Sequence, residues 1–191
     1  MVSWLDRMPK TLRFRPTNED YKSAHQIITM LIETRAKGGN LLLNVGPTAD
    51  GEIPFDQKAR LNELALWMFI NKESMENIVP WPVIKENSIW LTKSKNGNTV
   101  YAYLMEQGWE YGKEKVFVLK TVKPTKTTKL SVLGHGGKVL EYQPDVNPEP
   151  RFTWNENELK FWIIRAQRIY NDRKWPNSIV VKIENVEIVK K

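Results

Sequence analysis

Residues 36–54 constrain the fold of this chain more than any other stretch. They read, in order, as a helix stop at Gly38-Gly39, a short apolar strand, a tight polar loop and a helix start at Pro54. Leu41-Leu42-Leu43-Asn44-Val45 is fenced by Gly38-Gly39 on one side and Gly46-Pro47 on the other. The run is too short for a buried helix, and glycine and proline punctuate both ends. Strands covered by helices on both faces are apolar without alternation, as this one is. The segment therefore reads as the βα unit of a parallel α/β fold.

The flanking sequence agrees. Ala24, Ile27, Ile28, Leu31 and Ile32 recur at helical spacing and form one apolar stripe. Thr17-Asn18-Glu19-Asp20 reads as a capping-box-like start for that helix. Arg35 and Lys37 lie near its end, where cations suit the helix dipole, and Gly38 stops it. Pro54 suits the first turn of a second helix, with Leu61, Leu64, Ala65, Met68 and Phe69 as its stripe. Residues 17–73 thus read as helix, strand, helix. Asn44, the polar residue near the carboxyl end of the strand, has two readings. It satisfies neighbouring loop backbone, as buried polar groups must be satisfied, or it lies near substrate, since α/β barrels place ligand-contacting groups at that end.

After Asn77 the pattern changes. Pro80-Trp81-Pro82 breaks any helix, and short alternating runs take over. The expected strands are 88–93, 99–105, 115–122, 129–133, 138–142, 159–164 and 178–186, separated by turn residues at 96–98, 134–137 and 144–150. Seven or so strands at this spacing indicate an antiparallel β-sandwich. The fold class is α/β plus all-β, with a boundary between residues 79 and 80. Tryptophan within a strand is more often core than ligand platform. Trp109 and Tyr111 fall in an expected hairpin loop, which makes them the candidate sugar platform.

Composition removes several functions. The 191 residues hold 29 basic and 22 acidic side chains, a net charge of +7, yet the lysines are scattered and no nucleic-acid motif is present. No apolar window is long enough to span a membrane, and the first residues lack the apolar core of a secretory signal. There is no cysteine, so there is no disulfide, thiol nucleophile or cysteine-ligated metal. The two histidines, His25 and His135, are isolated, and no acidic residue forms a recognisable catalytic pair.

Gly38-Gly39-Asn40-Leu41-Leu42-Leu43-Asn44-Val45-Gly46-Pro47 is a specific signature. Together with Tyr21-Lys22-Ser23, Asp50-Gly51, Ile53-Pro54, Trp67-Met68 and the Pro80-Trp81 junction, it resembles the α-L-fucosidases of the retaining glycoside hydrolase family 29. The resemblance implies the last βα unit of a (β/α)8 barrel in residues 1–79 and a β-sandwich in residues 80–191. It implies hydrolysis of α-L-fucosides by two carboxyl groups and water, without metal or organic cofactor. It also implies that the nucleophile strand lies upstream of Met1, so that this chain is inactive by itself and its partners are the missing N-terminal barrel half and a fucosylated glycan. Where family members carry a Trp-x-Tyr segment near the sugar site, this chain has Leu12 and Phe14. Leu12 removes an aromatic face there. The resemblance suggests a periplasmic or extracellular setting. A competing reading is a non-catalytic carbohydrate-binding β-sandwich, in which Trp109 and Tyr111 stack on sugar.

Overall fold

A computed structural model describes residues 21–106, 108–110, 112–135, 147–166, 168–169, 173–174 and 177–189. Helix α1 spans Ala24–Ala36 and helix α2 spans Phe55–Ile70. The start of α1 is a capping box six residues downstream of the expected one. Ser23 Oγ accepts from the Gln26 amide at 3.2 Å, and Gln26 Oε1 accepts from the Ser23 amide at 2.8 Å. Thr17–Asp20 lie outside the described residues. The helix ends where Gly38 takes a φ of 81°, a conformation that side chains resist. Pro54 stands at the N-cap of α2, one residue before the first turn expected for it, and makes no side-chain capping bond.

Ten strands follow. They are β1 (Ile78–Glu86), β2 (Ile89–Ser94), β3 (Val100–Leu104), β4 (Glu114–Leu119), β5 (Val122–Val132), β6 (Arg151–Trp154), β7 (Leu159–Ile164), β8 (Arg168–Ile169), β9 (Arg173–Lys174) and β10 (Ile179–Ile188). Their ladders are all antiparallel. One sheet runs β1-β2-β3-β10-β5, a second runs β4-β7-β6, and β8 and β9 form a separate hairpin. The two larger sheets enclose a core that includes Leu91, Ala102, Leu119, Phe161 and Ile183. Phe117 stacks on Phe161 with ring centroids 5.6 Å apart. This is the sandwich expected from the spacing of the strands.

Two details depart from the sequence reading. No strand is expected over 78–86, yet Pro80-Trp81-Pro82, read as a helix breaker, lies inside β1. That strand is at the edge of its sheet and its register shifts between Pro80 and Lys85. A missing N–H is tolerated there, because an edge strand need not donate on its outer side. The run expected at 115–122 divides into β4 and the start of β5 at Lys120-Thr121. The Glu86 carboxylate accepts from both of those amides, at 2.6 and 3.1 Å, and from the Thr121 hydroxyl, and so holds the chain as it passes between sheets. The strand expected at 138–142 lies outside the described residues.

The five-stranded sheet is covered on its other face as well. Trp90, Tyr101, Tyr103 and Val180 on that face share a core with Ile28, Ile32 and Ala36 of α1 and Trp67 of α2. Each residue of β3 is buried, because successive side chains enter opposite cores. Trp67 is fully buried and donates from Nε1 to the Ser178 carbonyl at 2.9 Å. The Tyr103 hydroxyl donates to the Ser74 carbonyl. Its single proton is thereby used, so Thr92, 3.1 Å away, donates to it.

Burial pushes the Tyr103 phenol up to about 12, against the opposing effect of its bonds to Thr92 and Ser74. The folded state therefore favours the neutral phenol. Below the ordinary value of 10 both states are neutral and the contribution is intact. Between 10 and about 12 the unfolded chain ionises first, and stability falls. Urea unfolding across that window should show a steeper alkaline loss for the native chain than for Tyr103→Phe. At neutral pH the variant should be less stable by about 1–3 kcal/mol, since Ser74 and Thr92 lose their partner.

Candidate functional site

The segment that dominates the sequence reading, Leu41–Val45, has no regular secondary structure and joins no ladder among the described residues. The strand expected there is not formed. A strand exists only through hydrogen bonds to a neighbour, and no neighbour reaches it among the described residues. It is held at its ends instead. The Arg35 guanidinium donates to the Gly39 carbonyl at 3.1 Å, to Asn40 Oδ1 at 3.1 Å and to the Met75 carbonyl at 3.2 Å. Gln57, in the first turn of α2, brackets Gly46. Its Oε1 accepts from the Gly46 amide at 3.0 Å and its Nε2 donates to the Gly46 carbonyl at 3.4 Å.

Between Gly46 and α2 the loop folds on itself. The Gly51 amide donates to the Thr48 carbonyl at 3.0 Å, and the Thr48 amide donates to the Glu52 carbonyl at 2.8 Å. The Glu52 amide donates to Thr48 Oγ1 at 3.1 Å, and Gly51 takes a φ of 83°. Asp50-Gly51 is therefore a turn, as expected, with Asp50 and Glu52 exposed. Asn44 is exposed at the carboxyl end of this segment. Water satisfies an exposed amide, so the requirement for a loop-backbone partner does not apply here.

The apolar surface around this segment is open. Leu42 is 77%, Phe55 84% and Phe69 81% exposed, and Val45 and Ile53 are also exposed. Phe55 and Phe69 are separated by almost four turns of α2, which leaves them about 40° apart around its axis. The expected stripe of α2 is therefore divided. Ala65 and Phe69 face outward, whereas Trp67 is buried in the helix–sheet core and Leu64 packs against it.

Trp109 is buried in the sandwich core, tilted against Phe117 at 5.5 Å, and donates from Nε1 to the Lys113 carbonyl at 2.8 Å. The Arg165 guanidinium caps its carbonyl. With its faces packed, Trp109 offers no platform to a sugar. A large indole gains more from core burial than a loop position suggests. Tyr111, Leu12 and Phe14 lie outside the described residues. Glu106 is bonded to Lys115 and Ser88, and the Lys115 contact holds its carboxyl below the usual range, the opposite of what a general acid needs. Burial likewise lowers His135. Among the described residues no group of three or more His, Cys, Asp or Glu side chains converges as a metal site.

Sequence reading misses Arg35 and Gln57 as positioning residues. In sequence, Arg35 is only a cation near a helix end, and nothing in a lone glutamine shows that it will reach a glycine eleven residues earlier. Replacing Gln57 with Ala should raise amide hydrogen exchange at Gly46 by roughly 2–10-fold, the loss expected for one hydrogen bond. Exchange in β3 should not change, because that strand lies in the core.

The same segment lies within the region most like known proteins. The α-L-fucosidase family model matches residues 5–73. An α-L-fucosidase of Dictyostelium discoideum is 35% identical over 139 residues, 71% of this chain and 29% of that protein. Tissue α-L-fucosidase of Bos taurus is 41% identical over 119 residues, 60% of this chain and 24% of that protein. These alignments are longer than the stretch matched by the family model, so the likeness also enters the sheet region. In shape, the chain resembles α-L-fucosidase isoenzyme 1 of Paenibacillus thiaminolyticus with a TM-score of 0.65 at 23% identity, over 92% of this chain and 37% of that one. The chain spans under a third of the length of the curated relatives it matches.

Proposed function

The chain belongs to the α-L-fucosidases of glycoside hydrolase family 29, and on that premise we propose that it serves as the C-terminal part of a retaining α-L-fucosidase-like glycosidase. Residues 1–79 then carry the last βα unit of the barrel, and residues 80–191 form the sandwich that braces it. The observation that carries this reading is the exposure of Leu42, Phe55 and Phe69, within and after a segment that has no ladder partner among the described residues. Apolar side chains this exposed, next to unpaired backbone, are what a barrel strand and its helix present before their neighbours are in place. Pairing with the preceding strand would satisfy the backbone of 41–45, and the neighbouring helix would cover Phe55 and Phe69.

The chemistry follows the same division. Retention needs two carboxyl groups roughly 5–5.5 Å apart, one as nucleophile and one as acid/base. Here Glu106 is engaged by Lys115, Glu86 holds the β4–β5 turn, and Asp50 and Glu52 sit on an exposed loop. In this reading the nucleophile comes from the upstream barrel half, and the fucosylated glycan is a substrate of the assembled enzyme. Asn44, at the carboxyl end of the last strand, is the residue of this chain placed to border that substrate. Leu12 and Phe14 are the further candidates at the sugar site.

Two measurements test this. The purified chain should not hydrolyse 4-nitrophenyl α-L-fucoside above the buffer rate. In source cells, an antibody to residues 85–191 should detect a protein larger than 22.3 kDa that copurifies with fucosidase activity. Turnover by the chain alone would overturn the assignment of the nucleophile to another segment. Separately, Leu42→Ser, Phe55→Ser and Phe69→Ser combined should lower self-association of the chain in sedimentation without lowering its melting temperature. A large loss of melting temperature would mean that the strip is already packed.

A further inference from the structure

Beside the inter-sheet core the sandwich carries an open cleft. It has a volume of about 790 Å³ and is lined by Trp81-Pro82 of β1, the β2–β3 turn at Gly97-Asn98, the end of β10 and the β6–β7 turn. That volume is in the range of small-molecule sites, about 300–1,000 Å³. Helices α1 and α2 cover the opposite face of the five-stranded sheet, through Trp90 and Tyr101, so they leave this cleft open. The cleft is built by the sandwich alone and is independent of whether residues 1–79 belong to a barrel.

Two indoles line the cleft, with Pro82, Val186, Ile188 and Val189 as further apolar surface. Trp81 is buried and its Nε1 is already donated to Thr121 Oγ1 at 2.9 Å, so it contributes surface rather than a hydrogen bond. Trp154 is half-buried on β6, packed against the inter-sheet core. Around them stand Lys93 and Lys123, and Glu156 and Glu187. Lys123 and Glu187 pair at 3.4 Å. Asn155 Oδ1 accepts from the Asn157 and Glu158 amides, which fixes the turn that carries Glu156.

We propose that this cleft binds a neutral saccharide, with one pyranose ring stacked on Trp154 and its hydroxyls bridging Lys93 and Glu156. The lining selects that class of ligand. An indole face accepts the C–H face of a sugar ring. Sugar hydroxyls donate and accept, so they suit a rim that holds both ammonium and carboxylate groups. Two positive and two negative side chains cancel, so a sulfate or phosphate would meet the glutamates and a basic peptide would meet the lysines. A purely apolar ligand would desolvate all four charges without pairing them.

The test is a heteronuclear NMR titration of the 191-residue chain with L-fucose, D-galactose and N-acetyl-D-glucosamine, with inorganic sulfate as the charged control. At least one sugar should give saturable shifts at the Trp154 indole and the amides of Gly97, Asn98 and Val189, at concentrations of roughly 1 mM or above. Sulfate should give none. Trp154→Ala should abolish the response. Lys93→Ala and Glu156→Ala should each weaken it about 10-fold, as expected for loss of a charge-assisted hydrogen bond, and these rim changes carry the test if Trp154→Ala does not fold. Three outcomes would overturn the proposal: no saturable shift with any of the sugars, sugar shifts that folded Trp154→Ala retains, or sulfate binding in place of sugar.

Discussion

Trp67 fastens the helical layer to the sheet. Its indole is fully buried between α2 and the face of the five-stranded sheet, and its N–H is used by the Ser178 carbonyl just before β10. That contact makes the sheet a middle layer, with one core toward the helices and another toward the smaller sheet. A sheet buried on both faces needs partners for its polar side chains. Tyr103 has them, at Ser74 on the helical side and Thr92 on the adjacent strand. The position of α2 then sets that of Gln57, and Gln57 sets that of Gly46.

Among the described residues, segment 41–45 is therefore held at its ends. Arg35 and Gln57 place it, while its own backbone lacks a ladder among the described residues and Leu42 stands in solvent. In most folded chains such a stretch is a liability, because unpaired backbone beside apolar side chains invites other chains. Here it lies within the region that matches the α-L-fucosidase family. Among the described residues the stretch most specific in sequence has no ladder, whereas the two larger sheets of the sandwich share one core.

Aromatic residues are the hardest to place from sequence. Eight tryptophans give a local reading little with which to separate core from surface. Trp109 lies close to glycines, which suggests a loop tip, yet it packs on Phe117 within the core. Trp154 lies in a short strand that alternation does not reveal, four residues long and directly after a proline-rich stretch. It borders the open cleft of the sandwich. Burial of an indole depends on which strand crosses above it, and that is a property of the sheet order.

By itself the sequence determined the elements whose signals are local. Helical spacing marks α1 and α2, and alternation between turn residues marks β2, β3, β7 and most of β10. The glycine-fenced run at 38–47 identifies the family. Tertiary structure decided what depends on distant partners. Leu41–Val45 has the composition of a buried strand but no ladder, because pairing requires a second strand and composition cannot supply one. Pro80 and Pro82 sit within a strand because β1 is an edge, a fact about its neighbours. Arg35 and Gln57 became clamps because the fold brought backbone groups within their reach. Periodicity records which face of an element prefers burial, and only the assembled layers determine what, if anything, covers that face.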